Sequence, residues 1–243
     1  MSSYKGHIAF AIILATLMFH NPLAISLAIL GANFPDFDHE FKQNQVLSIL
    51  ALGILISIFL YFLNLPFYIG LILILLSLIF LFSSHRGFTH SISGVLIQGA
   101  MIFLLIFCAL DLAMSFGLES KIIPINLLIS FILLVFLGIF FLNKKVAIIN
   151  TAFIIISIFL LYFGFLPIFK LNIYMVVFSI YLGLFSHLIL DSFTPSGIRI
   201  FSPFTNREYH KKAGILLFAL LIAAYLILFP QYPAAMIPAN VFS

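Results

Sequence analysis

Long apolar stretches, separated by short polar or proline-containing breaks, follow one another along most of the 243-residue chain. A transmembrane helix needs about 20 mostly apolar residues, within a range of roughly 17–25. Seven stretches therefore predict membrane-spanning helices: 46–63, 66–82, 92–116, 122–142, 145–165, 172–192 and 213–230. Pro66, Pro124 and Asn143-Lys144-Lys145 mark boundaries of these stretches, as helix-breaking and charged residues should. The pattern also allows one long helix over 88–116, with its first turns above the hydrocarbon.

Two shorter apolar stretches, 8–19 and 22–34, come first and are parted by His20-Asn21-Pro22. They predict a hairpin that either spans the membrane twice or re-enters it, and both forms return the chain to its starting side. Lys5 ahead of an apolar stretch is also typical of a signal peptide, but no small-residue cleavage site follows, so we expect a retained helix. The prediction is an all-α, polytopic transmembrane helical bundle of about nine segments, with 1–243 as one membrane domain.

The composition supports a membrane environment. The chain is 64% hydrophobic and only 7% charged, with a mean hydropathy of +1.29. Soluble domains are usually about 45–50% apolar and about 25% charged. Such a shortage of charge excludes a water-solvated surface. The single cysteine, Cys108, excludes an internal disulfide and a cysteine-rich zinc site, and we interpret it as a small core residue.

The positive charges indicate the orientation of the chain. Eleven Lys and Arg residues are scattered among the loops, and no nucleic-acid-binding motif accompanies them. When the loops are assigned alternately to the two sides, only Lys121 and Lys170 lie opposite the N-terminus. Cytoplasmic loops of membrane proteins carry the excess of Lys and Arg. We therefore expect a multi-pass protein of the inner (plasma) membrane with a cytoplasmic N-terminus, membrane lipids as partners and no nucleic acid.

Histidines and aspartates collect at the predicted cytoplasmic ends of four stretches. An ionisable group at membrane depth costs about 2.5–3.5 kcal/mol on insertion scales, so such groups are candidates for function. Eight candidate metal ligands lie on this side: His7, Asp36, Asp38, His39, His85, His90, His187 and Asp191. Outside the set are His20, Asp111 and Glu119 on the opposite side, and His210 beside two lysines.

The local spacings suit metal binding. His187 and Asp191 stand at i and i+4, so they project from adjacent turns of one helical face. Asp36 and Asp38 follow Pro35 and are two residues apart, which places both carboxylates on the same side of an extended segment.

His85 and His90 bracket Arg86-Gly87, a predicted turn that leads into a helix. Imidazole and carboxylate ligands without sulfur suit Zn²⁺, with Mn²⁺ or Fe²⁺ as alternatives. Eight ligands exceed the needs of one tetrahedral ion. The sequence therefore predicts two divalent metal ions, about 3.5–4 Å apart.

Four motifs carry a family resemblance: Gly6-His7, Pro35-Asp36-Phe37-Asp38-His39, His85-Arg86-Gly87-Phe88-Thr89-His90-Ser91, and His187-x-x-x-Asp191-x-x-Thr194-x-x-Gly197 closed by Ser202-Pro203-Phe204. In these motifs the chain resembles the YdjM-type (LexA-regulated) inner-membrane metal-dependent hydrolases. The resemblance implies a membrane-embedded hydrolase whose motif histidines and aspartates bind metal. The His-x-x-x-Asp element is more distantly similar to that of zinc-dependent phospholipase C.

The leading hypothesis from the sequence is hydrolysis by a metal-activated water. Arg86 is either a clamp for an anionic substrate or a topology residue. Asp38 is the candidate general base. Thr89, Ser91 and Thr194 are candidates to orient ligands or substrate through hydrogen bonds. Because the site lies near the headgroup level, we expect a lipid or lipid-linked phosphoester as substrate.

Two non-enzymatic alternatives stay open. A transporter needs polar groups near the bilayer midplane, whereas the centres of the long stretches consist almost entirely of Leu, Ile, Phe and Val. A metal-stapled structural or regulatory protein needs a closed ligand shell, without the open position that catalysis requires.

Overall fold

A computed structural model of the chain describes residues 4–39, 42–84, 86–116, 124–166 and 172–230. Within these residues there are nine α-helices and no β-strand, apart from one isolated bridge between Ile198 and Tyr209. The helices are α1 (Tyr4–Phe19), α2 (Pro22–Asn33), α3 (Gln43–Phe62), α4 (Tyr68–Phe82), α5 (Ile92–Ser115), α6 (Ile125–Phe141), α7 (Lys144–Tyr162), α8 (Ile173–Ser192) and α9 (Lys211–Leu228). The predicted all-α bundle is therefore confirmed.

Five of these helices are long and apolar enough to cross a membrane: Gln43–Phe62, Ile92–Ala113, Lys144–Tyr162, Ile173–Ser192 and Lys211–Leu228. In the outer spans α3 and α9, only 22% of the apolar window is buried inside the protein, against 67% in α8. The exposed apolar side chains of the outer helices fit contact with lipid. Helix α8 is therefore the central helix of the bundle.

Asparagine side chains cap helices at the breaks that the sequence shows. Asn21 accepts a hydrogen bond from the backbone N–H of Leu23 at 2.9 Å and begins α2. Asn143 caps α7 and Asn172 caps α8 in the same way. A capping side chain satisfies an N–H group that has no partner inside the helix. The short breaks thus start new helices as well as ending old ones.

The α1–α2 hairpin is short. At 1.5 Å per residue, α1 rises about 24 Å and α2 about 18 Å, less than the hydrocarbon thickness of about 30 Å. His20, with a φ of 46°, makes the turn between the two helices. Apart from its first residue and Ile25, α2 is buried, with α8 as its main neighbour.

Glycines bring α2 and α8 into backbone contact. A Cβ atom on Gly31 would lie 2.5 Å from the carbonyl oxygen of Ile180, and one on Gly183 would lie 2.2 Å from that of Ala28. Small residues allow this close approach between membrane helices. The contact fixes the end of α2 beside the last turns of α8, where the candidate ligands lie.

The structure corrects the expectation of one helix over 88–116. A 3₁₀ turn (Phe88–His90) and an extended Ser91 precede α5, which begins at Ile92. The hydroxyl of Ser91 accepts a hydrogen bond from the N–H of Gly94 at 3.0 Å. Ser91 therefore acts as the N-cap of α5, and the chain before it is free to turn.

Candidate metal centre

Four elements meet at one end of the bundle, which we call the N-terminal face because α1 begins there. They are the start of α1, the turn after α2, the turn before α5 and the end of α8. Two groups of three residues each bring their donor atoms within 4.8 Å of one another. One group is His7, His187 and Asp191, and the other is Asp36, His90 and His187. The fold thus assembles five of the eight predicted ligands from positions far apart in the sequence.

Four donor atoms form a compact set, which we call the tetrad: Asp36 Oδ1, His90 Nε2, His187 Nε2 and Asp191 Oδ2. The His187 nitrogen lies 3.2 Å from that of His90, 3.6 Å from the Asp36 oxygen and 3.3 Å from the Asp191 oxygen. The His90 nitrogen lies 3.7 Å and 3.6 Å from the same two oxygens. Ligands about 2.0–2.1 Å from a tetrahedral zinc ion are roughly 3.3–3.4 Å apart. Five of the six distances within the tetrad, 3.2–3.7 Å, are therefore close to those between the ligands of one tetrahedral cation.

The two tetrad histidines have fixed ring orientations. The Nδ1–H of His187 donates to the carbonyl oxygen of Ala32 at 2.7 Å. The Nδ1 of His90 lies 3.3 Å from Asp38 Oδ2 and 3.1 Å from Thr89 Oγ1. Because these partners accept, the proton of each neutral ring belongs on Nδ1, and Nε2 presents its lone pair to the tetrad. A hydrogen bond at the remote nitrogen is the usual support for a metal-binding histidine.

Asp38 lies behind His90 and outside the tetrad. Its Oδ2 accepts a 2.6 Å hydrogen bond from the hydroxyl of Thr89, whose carbonyl in turn accepts from Gln98. The prediction of an extended segment with Asp36 and Asp38 on one side is wrong, because Pro35–Asp38 forms a 3₁₀ turn. Residues two apart in a 3₁₀ helix point about 240° apart. The two carboxylates consequently face different nitrogens of His90.

His7 and Asp191 extend the cluster beyond the tetrad. The His7 ring stacks on that of His187 with a centroid distance of 3.9 Å and an interplanar angle of 11°. Its Nε2 lies 3.4 Å from Asp191 Oδ1, while the other oxygen of Asp191 belongs to the tetrad. One carboxylate therefore joins His7 to the tetrad.

Arg86 ties the turn before α5 to the loop after α8. Its guanidinium donates to Thr194 Oγ1 at 3.2 Å, to the carbonyl of Gly197 at 3.3 Å and to the hydroxyl of Ser196. It also lies 3.8 Å from Asp191 Oδ1. Arg86 adopts a φ of 59°, a conformation that is uncommon outside glycine and that clusters at functional sites.

The remaining predicted site residues have other positions. His85 lies outside the described residues. His39 follows the 3₁₀ turn after α2, and it belongs to neither of the two donor groups found among the described residues. Ser91 caps α5. Thr194 accepts from Arg86 and donates its own hydroxyl to the carbonyl of Asp191 at 2.7 Å.

Three contributions were missed by the sequence interpretation. The carbonyl of Ala32 is a backbone group and leaves no sequence signal. Ser196 stands in a Thr-Pro-Ser-Gly turn, whose composition predicts a loop but not a partner for Arg86. The distribution of positive charge predicts only that Lys42 lies in a loop on the side of the N-terminus, yet it is buried and its Nζ lies 4.3 Å from the ring centroid of Phe37.

Opposite charges compensate for burial around the cluster. Burial raises the pKa of Asp36, but His187, His90 and Lys42 outweigh it and hold this pKa well below its usual range. Burial lowers the pKa of His90, but Asp36 and Asp38 overcome it and raise the pKa to about 9. Burial lowers the pKa of Lys42 against the opposing effect of both aspartates. A cation bound in the tetrad would replace the proton that His90 otherwise holds.

Fold and site together define an all-helical integral membrane protein with a buried histidine–aspartate cluster at one end of its bundle. The family model of the YdjM inner membrane protein matches residues 1–241. The chain therefore belongs to the YdjM inner membrane protein family, which confirms the resemblance carried by the four motifs. No curated protein and no solved structure matches the chain.

Proposed function

We propose that this protein is a membrane-embedded, metal-dependent hydrolase that cleaves a phosphoester in a lipid or lipid-linked substrate. The observation that carries the proposal is the tetrad, in which His90 Nε2 and His187 Nε2 lie 3.2–3.7 Å from each other and from an oxygen of Asp36 and of Asp191, close to the spacing of tetrahedral ligands. Two imidazoles and two carboxylates without sulfur suit Zn²⁺, with Mn²⁺ or Fe²⁺ as alternatives. The negative pair of carboxylates offsets the charge of a divalent cation.

A cation in the tetrad would supply one part of the chemistry, by lowering the pKa of a bound water from 15.7 towards about 7. The protein supplies the rest. His7 Nε2, 3.4 Å from Asp191 Oδ1, is placed to take up a proton at the edge of the tetrad. Asp38 is fully buried behind His90, so we assign it to orienting that ring and move the general-base role to His7. If a second ion bound at His7 Nε2 and Asp191 Oδ1, that nitrogen would be a ligand and would not act as the base.

Arg86 is the residue that we assign to the anionic group of the substrate. Its guanidinium lies beside Asp191 and is 19% exposed, at the outer edge of a largely buried cluster. Hydrogen bonds to the loop after α8 hold the guanidinium in place before substrate arrives. A pre-positioned guanidinium suits the planar recognition of a phosphoester.

The tetrad also supports a second candidate function, a metal-stapled structural or regulatory membrane protein. Four protein donors close a tetrahedral shell, whereas catalytic sites usually keep one position for water. A hydrolase would therefore need either a fifth coordination position for water or a carboxylate that dissociates from the cation. Asp36 is the exposed member, at 18% against 4% or less for the other three. Water would enter at this edge.

Turnover by an Asp36→Asn variant tests the hydrolase. Purified, metal-loaded protein in detergent is given a panel of phosphomonoesters, phosphodiesters and phospholipids, and product release is measured. We expect turnover of at least one class and a loss of more than about 100-fold in the variant, since outer partners of metal ligands already cost about 10–100-fold. Asp111→Asn, at a carboxylate near the far end of α5, is the matched control and should keep its activity.

Full activity in Asp36→Asn would contradict the proposed site. Protein that binds metal but turns over no member of the panel would instead favour the structural or regulatory candidate.

A further inference from the structure

An apolar groove runs along the outside of the central helix. Helices α5 and α9 both pack against α8 and leave between them a groove of about 410 Å³. Its floor is buried, with Phe178 and Leu221 each 7% exposed. Its rim is open, with Leu96 at 49%, Leu220 at 57% and Leu228 at 54% exposure. The groove therefore opens sideways, towards the surrounding lipid.

The lining of the groove suits a hydrocarbon chain. Tyr181 is the one polar residue among its described lining, and its hydroxyl donates to the carbonyl of Leu96 at 2.9 Å. No lining side chain is thus left to bind a polar group. Ile92, at one end of the groove, is two residues from His90 of the tetrad.

A cationic cleft of about 690 Å³ lies at the start of α9 on the N-terminal face. Arg207, Lys211 and Lys212 line it, with Glu208 as the opposing charge. Glu208 pairs with Arg199 at 3.5 Å, which leaves the three lining cations in excess. The cleft therefore fits an anionic group.

Cleft and groove are neighbours along α9, and the cleft also borders the candidate metal centre. Ala213 lines the cleft and Leu217, one turn later on the same face of α9, lines the groove. Thr194 lines the cleft and joins the metal centre, because its hydroxyl accepts from Arg86 and donates to the carbonyl of Asp191.

We propose that cleft and groove together bind one anionic membrane lipid, with the head group in the cleft and an acyl chain in the groove. The stretch from Leu217 to Leu228 is about 16 Å long, enough for much of one chain within a leaflet. The assignment of this lipid as substrate rests on the proposed function, whereas its binding does not.

A single introduced tryptophan tests the groove directly, since the chain contains none. Leu228→Trp places the reporter on the rim of the groove, and Leu226→Trp places it on another face of α9 at nearly the same depth. The two native residues are 54% and 51% exposed. Each variant, metal-free in a non-brominated detergent, is titrated with phosphatidylglycerol brominated along its acyl chains.

We expect quenching of Leu228→Trp that saturates near one lipid per protein, and only weak, non-saturating quenching of Leu226→Trp. Brominated phosphatidylcholine should need a several-fold higher concentration. Replacing Lys211 and Lys212 together by Gln should remove this preference for the anionic lipid.

Equal quenching of both reporters would contradict binding of an acyl chain in the groove. Quenching by both lipids at the same concentrations would contradict binding of the anionic head group in the cleft. Because the titration uses metal-free protein and no turnover, its result is independent of the hydrolase. Activity on a short-chain, water-soluble phosphodiester tests the hydrolase without the groove.

Discussion

The two ring nitrogens of His90 have different partners, and this difference carries much of the site's chemistry. Nε2 faces His187, Asp36 and Asp191, while Nδ1 faces Asp38, whose carboxylate also accepts from Thr89. A carboxylate at the remote nitrogen fixes the tautomer and makes the imidazole a better ligand. Asp38 would therefore influence a cation bound in the tetrad through His90 and not by direct contact.

Asp38→Asn should weaken zinc binding by about 10–100-fold without removing a tetrad atom. The neutral amide supports the His90 proton less well, so Nε2 becomes a poorer donor. Competition with a chromophoric chelator measures the dissociation constant. Asp111→Asn is the control with the same chemical change on α5. An unchanged affinity in Asp38→Asn would show that the orientation of His90 does not depend on this carboxylate.

At the scale of helices, the site depends on how closely α2 approaches α8. The backbone contact at Gly31 and Gly183 places the carbonyl of Ala32 within 2.7 Å of His187 Nδ1. A larger residue in this contact would push α2 away. The hydrogen bond that orients His187 would then be lost together with the packing.

Gly183→Ala should lower the free energy of unfolding by about 1–3 kcal/mol, the usual cost of overpacking. The added Cβ would lie 2.2 Å from the carbonyl oxygen of Ala28 and 2.8 Å from the backbone nitrogen of Ala32. Gly138→Ala is the matched control, because its nearest neighbours would be at 3.5 and 3.6 Å. There the better helix propensity of alanine should leave stability unchanged or raise it by up to about 1 kcal/mol. Thermal unfolding in detergent measures both, and a Gly183→Ala variant as stable as the control would contradict the tight contact.

At the scale of the whole molecule, the sequence predicts the order of helices and the end of the bundle at which the polar residues collect. Runs such as 46–63 and 172–192 are long and apolar, and they appear as α3 and α8 with ends shifted by only a few residues. The i, i+4 spacing of His187 and Asp191 also predicts their contact, found at 3.3 Å. These features depend on the length, composition and residue spacing of a single helix and not on how the helices pack together.

Features that depend on contacts between helices were not predictable in this way. The sequence around Asp36 and Asp38 is compatible with both an extended segment and a 3₁₀ turn. Only the 3₁₀ turn places the two carboxylates at different nitrogens of His90. The support of His187 by Ala32 comes from a backbone oxygen 155 residues away. Local pattern carries no information about either arrangement.

The central claim is that Asp36, His90, His187 and Asp191 share one tightly bound divalent cation, and metal content per chain tests it most directly. Elemental analysis of purified protein should find at least one zinc, manganese or iron ion per chain. A variant with both His90→Ala and His187→Ala should lose most of it, while His20→Asn, at the turn between α1 and α2, should keep it. Full metal content in the double variant, with unfolding as cooperative as in the parent protein, would contradict the claim.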